Sequence, residues 1–128
     1  MIYILQNILP IGAATLAGLV LGWLWLRLSG RATPRAGIIA LAAIAIFWLA
    51  AILAGALILA PQQAGVWAMT IGSAVVIWCG FVLPALAVTL AVGGARGKAI
   101  TSAATYWLLA MLAMAAIMRL VGLTAPPA

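Results

Sequence analysis

The sequence predicts an all-α fold, an integral membrane four-helix transmembrane bundle with both termini on the outer side. Three observations carry this. Of 128 residues, 70% are hydrophobic and only 5% are charged, whereas a soluble domain carries about a quarter charged residues. The apolar residues form four runs, each longer than the roughly 20 residues a helix needs to cross the hydrocarbon core. The basic residues gather in two of the three connections, the pattern of membrane orientation rather than of a nucleic-acid-binding face.

The first run covers about residues 3–28, the second 37–60, the third 66–92 and the fourth 99–123. Lipid offers no partner for free backbone groups, so only helices or a closed barrel span it. Barrel strands alternate polar and apolar residues over about ten positions. The stretch Leu41 to Leu59 does not alternate, which selects helices. Between the runs lie three short turns. Ser29 to Ala36 holds Gly30, Thr33 and Pro34, and Pro61 to Gly65 includes Gln62 and Gln63. Gly93 to Lys98 is glycine-rich and basic. Connections this short make successive helices antiparallel neighbours in one domain, residues 1–128. The tail from Thr124, with Pro126 and Pro127, cannot continue a helix.

Orientation follows from charge. Arg27, Arg31, Arg35, Arg96 and Lys98 flank or occupy the first and third turns, and the second turn has no charge. In a four-span protein those two turns share a side. The positive-inside rule expects them in the cytoplasm, with both termini periplasmic in a bacterial inner membrane. Arg119, near the outer end of the fourth run, is the exception. The N-terminal run is too long and lacks the basic start expected of a cleavable signal.

Small residues mark helix contacts. Ala14, Gly18 and Gly22 recur every four positions in the first run, and Gly18–Gly22 is a GxxxG pair that admits a close backbone. Such a face either packs the four helices together or docks a partner. Pro84 lies inside the third run and opposes the carbonyl of Gly80, so a kink is expected between them, as static shape or as a hinge. Of the six tryptophans, Trp23, Trp25 and Trp67 sit at interfacial belt positions. Trp48 and Trp78 fall near mid-helix and Trp107 about a third of the way in. Buried tryptophans pack inside the bundle and seek an acceptor for the indole N–H. The sharper reading gives them contact with a quinone, a pigment or a lipid.

Reactive chemistry is sparse. There is no Asp, Glu or His and one cysteine, Cys79. Carboxylate acid–base work, a catalytic triad and haem ligation by His are therefore excluded, as is a multi-ligand metal site, and no cofactor is expected. Small multidrug exporters share this size and plan but depend on a membrane glutamate. Fluoride channels share size and charge, but their polar track has no counterpart in Thr70, Ser73 and Thr89. Gln6 and Asn7 lie in the first outer turns, within reach of water and headgroups. Hydroxyls of Thr15 and Thr70 can bond back to their own helices. With no acid in the chain, Arg119 is expected to snorkel to the interface or to grip an anionic lipid or a partner's carboxylate.

Several positions form a pattern: Gly22 and Trp25, then Trp78, Gly80 and Phe81, then the basic turn Gly94 to Lys98, then Tyr106. With these the chain resembles the bacterial membrane family catalogued as domain of unknown function seventeen sixty-one. Where that family continues its first motif with Tyr-Ser-Pro, this chain has Leu26, Arg27 and Leu28. The resemblance implies the four-helix architecture and offers no mechanism.

The expectation is a non-enzymatic structural or accessory subunit of a larger membrane complex, or a self-associating bundle. Its partners would be membrane lipids and other membrane subunits or itself, with no nucleic acid. The alternative is a small passive channel or solute carrier acting as a dimer.

Overall fold

A computed structural model of the chain describes residues 2–61 and 63–126. Gln62 of the second turn and Pro127 of the tail lie outside the described residues. The order is α1 (Ile2–Gln6), α2 (Ile8–Leu28), α3 (Ala36–Leu59), α4 (Val66–Ile77), a π-helical turn (Trp78–Val82), α5 (Leu83–Val92) and α6 (Gly97–Val121). No strand occurs among the described residues. Four helices are long and apolar enough to cross a membrane: Ile8–Leu28, Ala36–Leu59, Val66–Val92 and Gly97–Val121.

Three of the four expected spans match within two residues. The first departs, because it is divided at Asn7 into α1 and α2. Pro10 explains the division. It has no N–H, and its ring crowds the carbonyl four residues back, on Gln6. The main chain stays nearly helical across the break, with Asn7 N–H bonded to the Tyr3 carbonyl and Ile11 N–H to that of Asn7, both at 3.0 Å.

Both basic turns start the same way. Gly30 has φ +68° and Gly94 has φ +84°, left-handed values that a side chain disfavours. Arg31 N–H then reaches the Leu26 carbonyl at 2.9 Å, and Ala95 N–H reaches that of Leu90 at 2.9 Å. This is the Schellman closure, which satisfies carbonyls left open at a helix end.

The expected kink near Pro84 takes the form of a π-turn. Leu83 N–H bonds to the Trp78 carbonyl, five residues back, and the helix widens by one residue instead of breaking. The wide turn absorbs the crowding and missing donor of Pro84 while the span continues to Val92.

At the centre of the bundle, α6 packs against α2, α3, α4, the π-turn and α5. Its core face is a stripe of Met111, Met114, Ala115 and Met118, all fully buried. That spacing puts them on one side of a helix, and the flexible thioethers fill the irregular space between three neighbours. Burial is one-sided along the bundle axis. In α2 the buried residues are Pro10, Ile11, Ala14 and Gly18, and in α3 they begin at Ile46 and run to Leu57. In the third span only Thr70 and Ala74 are buried, and α5 buries none. The solid core therefore lies at the end away from the basic turns.

Candidate functional site

Among the described residues, the buried polar side chains, Asn7 and Thr70, are both engaged within the chain. Asn7 is 1% exposed. Its Nδ2 donates to the carbonyls of Tyr3 and Thr124, each at 2.8 Å, and its Oδ1 accepts from Thr124 N–H at 2.6 Å. The side chain thus clamps the segment after α6 onto the start of α2. Tyr3 donates its hydroxyl to the Ala51 carbonyl at 3.2 Å, lying against Gly55, where an added Cβ would meet that oxygen at 3.1 Å. Thr70 donates to the Val66 carbonyl at 2.7 Å.

Arg119 joins three helices. Its Nε donates to Thr70 Oγ1 at 2.9 Å, and Nη2 reaches the Leu57 carbonyl at 3.5 Å. Leu57 is in the last turn of α3, where carbonyls lack intrahelical donors and carry partial negative charge. A cation there satisfies an open acceptor and complements the helix dipole. Beside the expected snorkelling or external anion, the chain itself thus offers Arg119 two neutral acceptors. A hydroxyl and a carbonyl serve where no carboxylate exists. The reading of Asn7 as exposed to water or headgroups is corrected.

The small-residue face of the first span is filled by the bundle itself. An added Cβ on Gly18 would lie 2.8 Å from Ile46 Cγ2 and 3.3 Å from Met114 Sδ, and one on Gly22 would lie 2.8 Å from the Tyr106 hydroxyl. Ala14 is fully buried. Gly80 and Pro84 are exposed, and nothing comes within 4 Å of a Cβ built on Gly80. Trp48 is exposed on α3. Trp78, half-exposed, donates its indole N–H to the Ala104 carbonyl at 2.9 Å and ties the π-turn to α6.

The opposite end is open. Between α2, the first half of α3 and the first third of α6 lies a cleft of about 590 Å³, within the roughly 300–1,000 Å³ usual for ligand pockets. One wall is aromatic. Trp25 and Tyr106 have ring centroids 5.8 Å apart, and Tyr106 and Trp107 stack edge-on at 5.2 Å. The facing wall is the aliphatic side of α3, including Ile38, Ile39 and Leu41, and the floor is where Gly18 meets Ile46. Arg31, Thr33 and Ser29 stand at the mouth. Arg27 is held differently, with its guanidinium carbon 5.1 Å from the Trp23 ring centre, a cation–π distance. Arg35 and Arg96 occupy the N-cap positions of α3 and α6 and make no side-chain capping bond. Lys98 is exposed in the first turn of α6.

Sequence reasoning missed Asn7, Tyr106 and Arg31 as members of these two sites. The Asn7 clamp had one signal, a short amide just before a proline-broken helix start. The cleft had none.

No family model matches the chain, and neither do the curated proteins or the solved structures. The resemblance drawn from sequence motifs rests on those residues alone.

Proposed function

We propose that this chain is a non-catalytic integral membrane protein acting as a structural or accessory subunit, within a larger membrane assembly or a self-associated bundle. One observation carries the reading. The polar side chains that reach the packed core, those of Asn7, Thr70 and Arg119, are bonded within the chain, and the space between them is filled by Ile, Leu, Ala and Met. A pore or carrier needs a polar track or charged residues along its path. The bundle presents such a track at neither its centre nor its floor. The positive-inside rule places the cleft at the cytoplasmic face of a bacterial inner membrane, with the Arg119 end toward the periplasm.

The third span supports an accessory role. It contributes little to the core, and Ile71, Val76, Phe81 and Val88 are exposed along it, which leaves its outer side for lipid or another subunit. Extraction in mild detergent followed by native gels and mass spectrometry tests the proposal. The expected result is a defined larger assembly, either with other subunits or with copies of itself, that leaves sealed liposomes impermeable. A protein that makes liposomes permeable to small ions or solutes overturns it.

A further inference from the structure

The open cleft carries a second, independent conclusion. We propose that it is a binding site for one anionic phospholipid, with an acyl chain in the cleft and the phosphate at Arg31. The depth fits. From Ser29 at the mouth to Gly18 at the floor is 11 helical residues, about 16 Å. One leaflet of hydrocarbon is about 15 Å, half of the roughly 30 Å core. A chain lying in the cleft therefore stays at the depth it has in the bilayer, and its headgroup stays at the interface.

The walls suit a flexible chain. Trp25, Tyr106 and Trp107 brace one another, so that side is a preorganised surface that loses little freedom on binding.

Charge selects the headgroup. The chain bears +6 with no Asp or Glu, so no internal carboxylate neutralises the mouth. Arg27 is engaged with Trp23, whereas Arg31 borders the cleft itself. The start of α3 opens at the same mouth. Arg35 gives it no side-chain cap, leaving first-turn amides directed at the headgroup layer, where helix amides favour an anion. A guanidinium matches phosphate oxygens in a fork geometry. A neutral isoprenoid would use the walls and leave this charge unanswered.

The test uses the full chain in nanodiscs and in mild detergent, with native mass spectrometry counting retained lipid. The probes are phosphatidylglycerol, phosphatidylcholine with the same chains, a neutral quinone and inorganic phosphate. Salt is held at about 1 M, where the Debye length is about 3 Å and diffuse surface attraction is screened. One phosphatidylglycerol should be retained over phosphatidylcholine. Arg31→Gln, in an exposed turn, should lower that retention about tenfold, the worth of one charge-assisted contact. Lys98→Gln, which removes the same charge away from the cleft, should leave it unchanged. Ala103→Trp, which fills the cleft, should abolish it while the protein stays folded. Equal losses from Arg31→Gln and Lys98→Gln overturn the proposal, as does lipid retained by Ala103→Trp. Equal retention of phosphatidylcholine or the quinone overturns the anionic assignment. Displacement of the lipid by inorganic phosphate alone overturns the role of the chain. Liposome flux does not enter these readouts, so the site and the accessory role stand or fall separately.

Discussion

At the Arg119 end of the bundle, residues meet at the limit of contact: Gly18 against Ile46 and Met114, Gly55 beneath Tyr3, Asn7 bonded to Thr124. At the basic end α3 stands away from α2 and α6 around a cleft, and the ties described there are the stacked aromatics, the close approach of Tyr106 to Gly22 and the Trp78 bond to Ala104. The two ends are made of similar residues. Ile38 and Ile39 are as apolar as Ile46, yet the first two are exposed and the third is 4% exposed. What differs is the residue facing them. Glycine, alanine and methionine let helices close, whereas Trp25, Tyr106 and Trp107 hold them apart. In lipid, where apolar side chains gain little by leaving the solvent, close packing and hydrogen bonds are the main source of stability. The closed end therefore holds the bundle together, and the open end is free to take a ligand.

Substitutions at the two ends separate these roles. The largest effect is expected from Gly18→Leu. It forces a side chain into Ile46 and Met114 and should destabilise the bundle by about 3 kcal/mol, read as a lower denaturation midpoint in detergent. Arg119→Met keeps the length but removes the donors to Thr70 and Leu57. About 2 kcal/mol should be lost, as for hydrogen bonds from a charged group, measured in the same denaturation series. Asn7→Leu should cost about 1 kcal/mol and, more tellingly, release the Thr124 amide to rapid hydrogen exchange while the α6 amides stay protected. Trp78→Phe removes one interhelical bond at the open end and should cost about 0.6 kcal/mol, near the mean for such bonds in membranes. Ala103→Leu at the cleft wall should change stability by less than about 0.5 kcal/mol. Should Ala103→Leu cost as much as Gly18→Leu, the two ends are equally packed and the comparison fails.

Much of this plan was legible in the sequence. Run length and turn residues located the spans because lipid imposes one length and one secondary structure on them. Gly18 and Gly22 were readable as close-contact positions, and Pro84 as a disturbance. Other features escaped for physical reasons. The Asn7 clamp joins residues 117 positions apart, and backbone carbonyls, which every residue carries, supply its acceptors. The internal acceptors of Arg119 escaped on the same ground: a search for carboxylates overlooks the open carbonyls of a neighbouring helix end. Pro84 signalled that the helix must adjust, yet the form of the adjustment, a widened turn at Trp78–Val82, depends on how the whole span seats against α6. The cleft arises where α3 stops touching its neighbours, and no local pattern marks a contact that is not made.

The widened turn at Trp78–Val82 bears on how the third span faces its neighbours. One surplus residue advances the helix by about 100° of phase, so positions above and below it do not belong to a single stripe. Thr70 and Ala74 look inward before it, and Pro84 and Val88 look outward after it. An uninterrupted 3.6-residue period, four turns from Thr70 to Pro84 and five to Val88, would assign those later positions to the core. The span is two short helices in different rotational settings, joined at the turn whose indole holds them to α6.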